Sequence, residues 1–172
     1  MTPAEVVEAR KAEATQAARV LGVRIGAFLD GTELKLRKDS RTAARLRDVL
    51  ERERPEIIYV PFPLDRHADH RATTALLIAA TCDSALNPEC RGYEVWTPLL
   101  PNCVVGIDAT IRLKESALRC YPSQLTVTDY LHSALGLSAY RALSMPGHGV
   151  QFAEAFYTAT LADYGRLYDA LA

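Results

Sequence analysis

The chain has 172 residues, 49% hydrophobic and 24% charged, with a formal net charge of −1. That length carries one domain with a real core, and the near-neutral charge excludes bulk attraction to nucleic acid or to anionic membranes. No apolar run approaches the roughly 20 residues of a membrane span, and the charged, alanine-rich start lacks the apolar region of a signal peptide, so a cytoplasmic protein is expected. Cys82, Cys90, Cys103 and Cys120 are then expected as reduced thiols, and no Cys-x-x-Cys pair suggests a zinc site.

Thr2-Pro3-Ala4-Glu5 reads as an N-cap, a proline at the first helical position and a capping-box glutamate. The stripe Val7, Ala14, Ala17, Ala18 and Leu21, closed by Gly22, predicts the first helix. Residues 23–29 predict a strand ending at the turn Asp30-Gly31. Asp39 or Ser40 caps a second helix with an apolar face of Ala43, Leu46, Val49 and Leu50, stopping before Pro55. Its arginines, Arg41, Arg45, Arg47, Arg52 and Arg54, interleave with Asp48, Glu51 and Glu53 and read as a solvated face of i,i+4 pairs. Ile57-Ile58-Tyr59-Val60 is the continuous apolar run of a buried parallel strand. A third helix is expected over about residues 71–82, strands over 93–96 and 104–107, and helices over 109–120 and 128–143. Residues 153–160 fit a strand or a helix. Strands alternating with helices predict an α/β fold with a mostly parallel sheet over the single domain 1–172.

Between the Ile57 strand and the third helix stands His67-Ala68-Asp69-His70. A strand-to-helix loop is where open α/β sheets place active sites, and imidazole serves as zinc ligand and as acid or base near neutral pH. Backbone N–H groups at a helix start disfavour imidazolium and favour a developing oxyanion. Asp65 and Asp69 are each placed to fix an imidazole tautomer. One histidine can bind metal while the other faces a substrate carbonyl; spacing alone equally allows two surface histidines that cap a helix with Asp69. The tyrosine-rich last third reads as core and rim packing, with an aromatic wall for a sugar or a protomer interface as the alternative; Trp96 either packs or lines a pocket mouth, and Gly147-His148-Gly149 reads as a flexible loop, with a substrate role for His148 as the alternative.

The run Pro61-Phe62-Pro63-Leu64-Asp65-Arg66-His67-Ala68-Asp69-His70-Arg71-Ala72 resembles the second motif of the PIG-L/LmbE-like N-acetylglucosaminyl deacetylases, with Ala68 where that family usually has proline. Arg10-x-x-Glu13 with Leu21-Gly22-Val23, Phe28-Leu29-Asp30-Gly31, Arg54-Pro55-Glu56-Ile57-Ile58, Tyr121-x-Ser123-Gln124 and Ala153-Glu154-Ala155-Phe156 extend the likeness in order along the chain. The resemblance implies a Rossmann-like α/β domain that uses zinc to remove acetyl from an N-acetylated amino sugar or sugar conjugate. It makes His70 a zinc ligand, His67 the group that holds the oxyanion or protonates the leaving amine, and Asp69 the residue that orients His67. It places Arg10, Asp30, Asp65, Gln124 and Glu154 against the substrate, a small-molecule N-acetyl sugar, and makes self-association into a homo-oligomer expected.

The family's first motif, Ala-His-Pro-Asp-Asp-Glu, supplies two more zinc ligands and the general base a few tens of residues before the counterpart of Arg10. These 172 residues contain no such run, and His132 and His148 stand in other contexts. The expectation is therefore an N-terminally truncated domain whose first strand is missing. Such a domain is either part of a zinc-dependent de-N-acetylase or an inactive member serving as a binding scaffold or as half of a split protein.

Overall fold

The first helix begins where its cap is written. In a computed structural model describing residues 2–147 and 149–171, with Lys38 by its backbone alone, α1 spans Pro3–Leu21. Thr2 and Glu5 close the reciprocal capping box, and Gly22 ends the helix in the left-handed region at φ 68°. Segments Met1–Phe28 and Val104–Glu154 form one compact unit; Leu29–Cys103 and Ala155–Ala172 form another.

In the first unit α1 packs on α4 (Ile111–Leu118), burying Ala17 and Ala18 on one helix and Ile111 and Ala117 on the other. α5 (Pro122–Leu125) and α6 (Tyr130–Arg141) follow, and the Asp129 carboxylate caps α6 through the His132 N–H at 2.9 Å. Asp108 accepts from the backbone N–H groups of Gln151 and Phe152, so its carboxylate holds the chain where it returns after α6. His148 lies outside the described residues.

The second unit is built on the apolar run. β1 (Ile57–Pro61) pairs in parallel with β2 (Glu89–Tyr93), Ile57 opposite Glu89 and Pro61 opposite Tyr93. β2 pairs antiparallel with β4 (Ala153–Thr160), Glu89 opposite Thr160 and Tyr93 opposite Phe156. Within this unit the strand order is β1-β2-β4; β3 (Cys103–Gly106) lies almost entirely in the first unit. The core joins Leu50 of α2 (Ser40–Glu53), Val60, Leu77 and Ala80 of α3 (Ala68–Thr81), Cys90, and Leu161 and Tyr164 of α7 (Leu161–Leu171). Among the described residues no helix is long and apolar enough to cross a membrane.

The α/β expectation holds, with a mixed rather than mostly parallel sheet. A short apolar run reports burial, not direction, and β4 enters against β2. Residues 23–29 form no strand, since no strand among the described residues pairs with them and an extended segment satisfies its backbone groups only through a neighbour. Of the strand expected at 93–96 only Tyr93 lies in a strand, the last residue of β2; beyond it the backbone N–H of Trp96 turns away to a carboxylate. α2 is less of a solvated face than its charges suggest. Arg45 donates to the Leu29 carbonyl at 2.7 Å, and Arg47 donates to the Ala80 carbonyl at 2.9 Å, satisfying an end of α3.

Gly92 leaves the space that the buried Tyr164 fills: a Cβ there would run into the tyrosine hydroxyl and lie 2.9 Å from Phe62 Cδ2. Gly92→Ala is expected to destabilise the fold by about 1–3 kcal/mol through overpacking, read as a lower urea midpoint at unchanged slope. Burial, with the Glu89 carboxylate nearby, pushes the Cys90 thiol up to about 11. The unfolded thiol ionises near 8.5, so folding favours the neutral form and this share of stability is lost as pH rises above about 9. At pH 8 a thiol reagent is expected to modify exposed Cys82 while Cys90 reacts only after denaturation, as peptide mass mapping would report.

Candidate active site

β1 delivers the chain into the loop 62–67, and α3 takes it away. The first local device is Asp65. Its Oδ1 accepts from the His67 backbone N–H two residues on, at 2.8 Å, an Asx-type turn that sets the entry to the helix. His67 is the N-cap of α3, its Nδ1 accepting from the Asp69 N–H at 3.2 Å. The helix thus starts three residues earlier than periodicity predicts, because an imidazole serves as its cap.

Asp65 is the buried centre of this loop, 2% exposed. Besides the His67 N–H, Oδ1 meets His70 Nδ1 at 3.0 Å. Oδ2 accepts from the backbone N–H groups of Trp96 at 2.7 Å and Thr97 at 3.2 Å. Burial alone would raise its pKa, but the two backbone donors, His67 and Trp96, and the His70 contact outweigh it and hold the carboxyl below the ordinary aspartate range. Asp65 therefore meets main chain and imidazole, where the resemblance placed it against substrate.

The two imidazoles lie 4.6 Å apart between ring centres, at i and i+3 across the helix start. Their hydrogen bonds assign them opposite faces. His67 Nδ1 accepts a main-chain hydrogen, so the neutral ring carries its proton on Nε2. Ionised Asp65 can only accept, so His70 Nδ1 carries the hydrogen, and in the neutral ring Nε2 keeps its lone pair. One ring thus presents a donor and the other an acceptor. Trp96 stands 5.8 Å from His67, and the Arg66 guanidinium lies 4.9 Å from the Trp96 ring centre.

Asp69 does not meet the expectation that its carboxylate orients His67. Both of its oxygens take the Leu34 backbone N–H, at 2.9 and 3.1 Å, and only its main-chain N–H reaches the imidazole. It does line a cavity of about 330 Å³ with Leu34, Arg37, Arg71 and Tyr168, a space whose walls do not include either histidine. Asp30 sits in the left-handed region at φ 53°, with its carboxylate 3.4 Å from Arg45.

The remaining expected residues belong to the first unit. With the Gln124 amide oxygen turned toward it, Arg10 donates from Nε at 3.2 Å and Nη2 at 3.0 Å. One turn on, Glu13 accepts from the Ser123 N–H at 2.8 Å and hydroxyl at 2.7 Å. Arg10-x-x-Glu13 and Ser123-Gln124 are thus two halves of one clasp between α1 and α5. Glu154 pairs with Lys114 at 2.6 Å, and Lys114 also reaches the Ser138 hydroxyl at 3.1 Å. Sequence reasoning missed Arg66, Thr97 and Leu34. The Asp65-x-His67 turn was a usable signal for the loop's shape; nothing local marks the distant N–H groups of Trp96, Thr97 and Leu34.

The donor set does not by itself fit the zinc that the resemblance implies. A catalytic zinc takes three protein ligands; His70 Nε2 offers one, and no group of three His, Cys, Asp or Glu side chains among the described residues could hold a metal ion. The purified chain is therefore expected to carry well under one equivalent of zinc by elemental analysis, with His70→Ala leaving that figure unchanged. A full equivalent that His70→Ala removes would show a complete site.

Residues 1–81 match the family model described as PIG-L: GlcNAc-PI de-N-acetylase. Among solved structures, the conserved protein TT1542 from Thermus thermophilus is 28% identical, with a TM-score of 0.76 over 91% of this chain and 74% of that one. GalB, the 4-carboxy-2-hydroxymuconate hydratase of Pseudomonas putida, is 24% identical at a TM-score of 0.76 over 92% of this chain and 74% of its own. The N,N'-diacetylchitobiose deacetylase of Pyrococcus horikoshii is 24% identical at a TM-score of 0.73 over 93% of this chain and 66% of its own. At 24% identity the last two are likenesses of fold. The likeness read from the tetrad and its flanks is supported by the PIG-L family match across residues 1–81, and the fold is one also found in the conserved protein TT1542, a hydratase and a deacetylase.

Proposed function

We propose that this chain carries part of a de-N-acetylase-type site, acting on the acetamide of an N-acetylated amino sugar or sugar conjugate. The fold does not decide this, since a hydratase and a deacetylase share it. The carrying observation is the pair of opposed imidazoles at the start of α3, inside the segment that the family match covers.

Amide hydrolysis adds water to the carbonyl carbon, gathers charge on the carbonyl oxygen, and then breaks the C–N bond to release acetate and an amine. His67 suits the oxygen. Its Nε2–H has no hydrogen-bond partner among the described residues, and the positive end of α3 beneath it favours negative charge. His70 turns an acceptor, Nε2, outward beside it. Activation of the water needs further groups that the described residues do not supply. In the same reading the substrate is a small molecule met in the cytoplasm. Self-association is supported by the edge strand β1, which leaves Ile57 40% and Tyr59 54% exposed.

The absence of a three-ligand group among the described residues favours a second reading, a family member that binds substrate or a partner without turnover, or half of a split protein. Incubation with an N-acetylglucosamine glycoside while following free amine separates the two. The proposal expects amine release that His67→Ala slows about 10²–10³-fold, the usual cost of one oxyanion donor. No release from the wild-type chain, with the sugar still bound, replaces it by the second reading.

A further inference from the structure

We infer that Asp65 is the positioning residue of this site, fixing His70 with one carboxylate oxygen while its other oxygen holds the Trp96–Thr97 loop beside His67. The assignment rests on the proposed function only for what the positioned groups act on; the positioning itself is read without turnover.

A carboxylate oxygen accepts two good hydrogen bonds, and each Asp65 oxygen has two donors: His67 N–H and His70 Nδ1 on Oδ1, Trp96 N–H and Thr97 N–H on Oδ2. With the residue 2% exposed, nothing remains for a substrate or a metal ion. Its place is behind the site, and it joins the loop after β1 and the adjoining first turn of α3 to the turn after β2, some thirty residues away. The two oxygens divide the work. Through Oδ1 the ring of His70 is held in the Nδ1–H tautomer, so that Nε2 is the atom presented. Through Oδ2 the turn after β2 is drawn back, and this sets the Trp96 ring against His67 with Arg66 on the indole.

Three further bonds keep the strut stiff. Arg71 donates to the carbonyls of Asp65 and Arg66, each at 2.8 Å, and the Arg66 N–H donates to the Thr97 hydroxyl at 3.0 Å. Trp96, 42% exposed, is thereby a fixed wall beside the imidazoles. A flat indole face suits the apolar C–H face of a sugar ring, whereas a freely moving loop would spend ordering entropy on binding. Trp96 thus sets which ring face meets His67, and Asp65 sets Trp96.

The chain has one tryptophan, so its fluorescence reads this loop alone. The second readout is the nitrogen spectrum of the imidazoles in 15N-labelled protein, with His70 assigned by the loss of its signals in His70→Gln. The wild-type chain is expected to show His70 with Nδ1 protonated and Nε2 bare. Asp65→Asn has one oxygen and one NH₂ and can serve only one pair of donors. It is expected to lose the single His70 tautomer, to let acrylamide quench Trp96 more strongly, or both. Leu50→Ala lowers stability from the core and is expected to leave both signals of the folded protein unchanged. A wild-type His70 protonated on Nε2 overturns the inference without any variant. So does an Asp65→Asn protein in which tautomer and quenching are both unchanged, or a Leu50→Ala protein that changes them equally. Failure of the amine-release assay bears on the proposed function alone.

Discussion

The carboxylate of Asp65 is the constraint on which the arrangement of this site depends. A buried charge is tolerated only when its acceptor capacity is met, and here main-chain N–H groups from two loops and one imidazole meet it in full. Satisfying that charge fixes the helix entry, one histidine ring and the turn that carries Trp96. The site is therefore stiff for the same reason that it is stable.

The two histidines show how context divides identical side chains. Three residues apart on one helix start, they differ only in what meets Nδ1. A main-chain N–H on His67 leaves a donor on its outer nitrogen; a carboxylate on His70 leaves an acceptor. The helix-cap reading and the chemical reading of the tetrad thus coexist, since capping occupies Nδ1 of His67 and leaves Nε2 open. Asp69, which the motif sets between them, is drawn to the Leu34 N–H, so the carboxylate that orients an imidazole here is Asp65.

The expected substrate residues sort by unit. Arg10 and Gln124 meet each other, and Glu154 meets Lys114, all within one compact unit, while the tetrad and Asp30 belong to the other. The Arg10-x-x-Glu13 pattern is accounted for by packing of α1 on α5, a structural duty that a family motif does not distinguish from a binding one.

Much was legible in the sequence because it is local. Thr2, Glu5 and Gly22 wrote both ends of α1, Asp39 and Pro55 bounded α2, and the apolar run at 57–60 gave β1. His67 and His70 at the head of a helix followed from spacing and flanks, and so did the likeness to the family whose model matches residues 1–81. What tertiary structure alone decided is non-local. Whether residues 23–29 join a sheet depends on a neighbouring strand, and the direction of β4 depends on what it packs beside. The partners of Asp69's carboxylate and of Asp65 Oδ2 are N–H groups some thirty residues away, which every residue but proline carries and no sequence pattern marks. The sequence by itself determined the residue types at the site; folding determined which nitrogen of each imidazole faces outward, because that choice is made by hydrogen bonds formed across the chain.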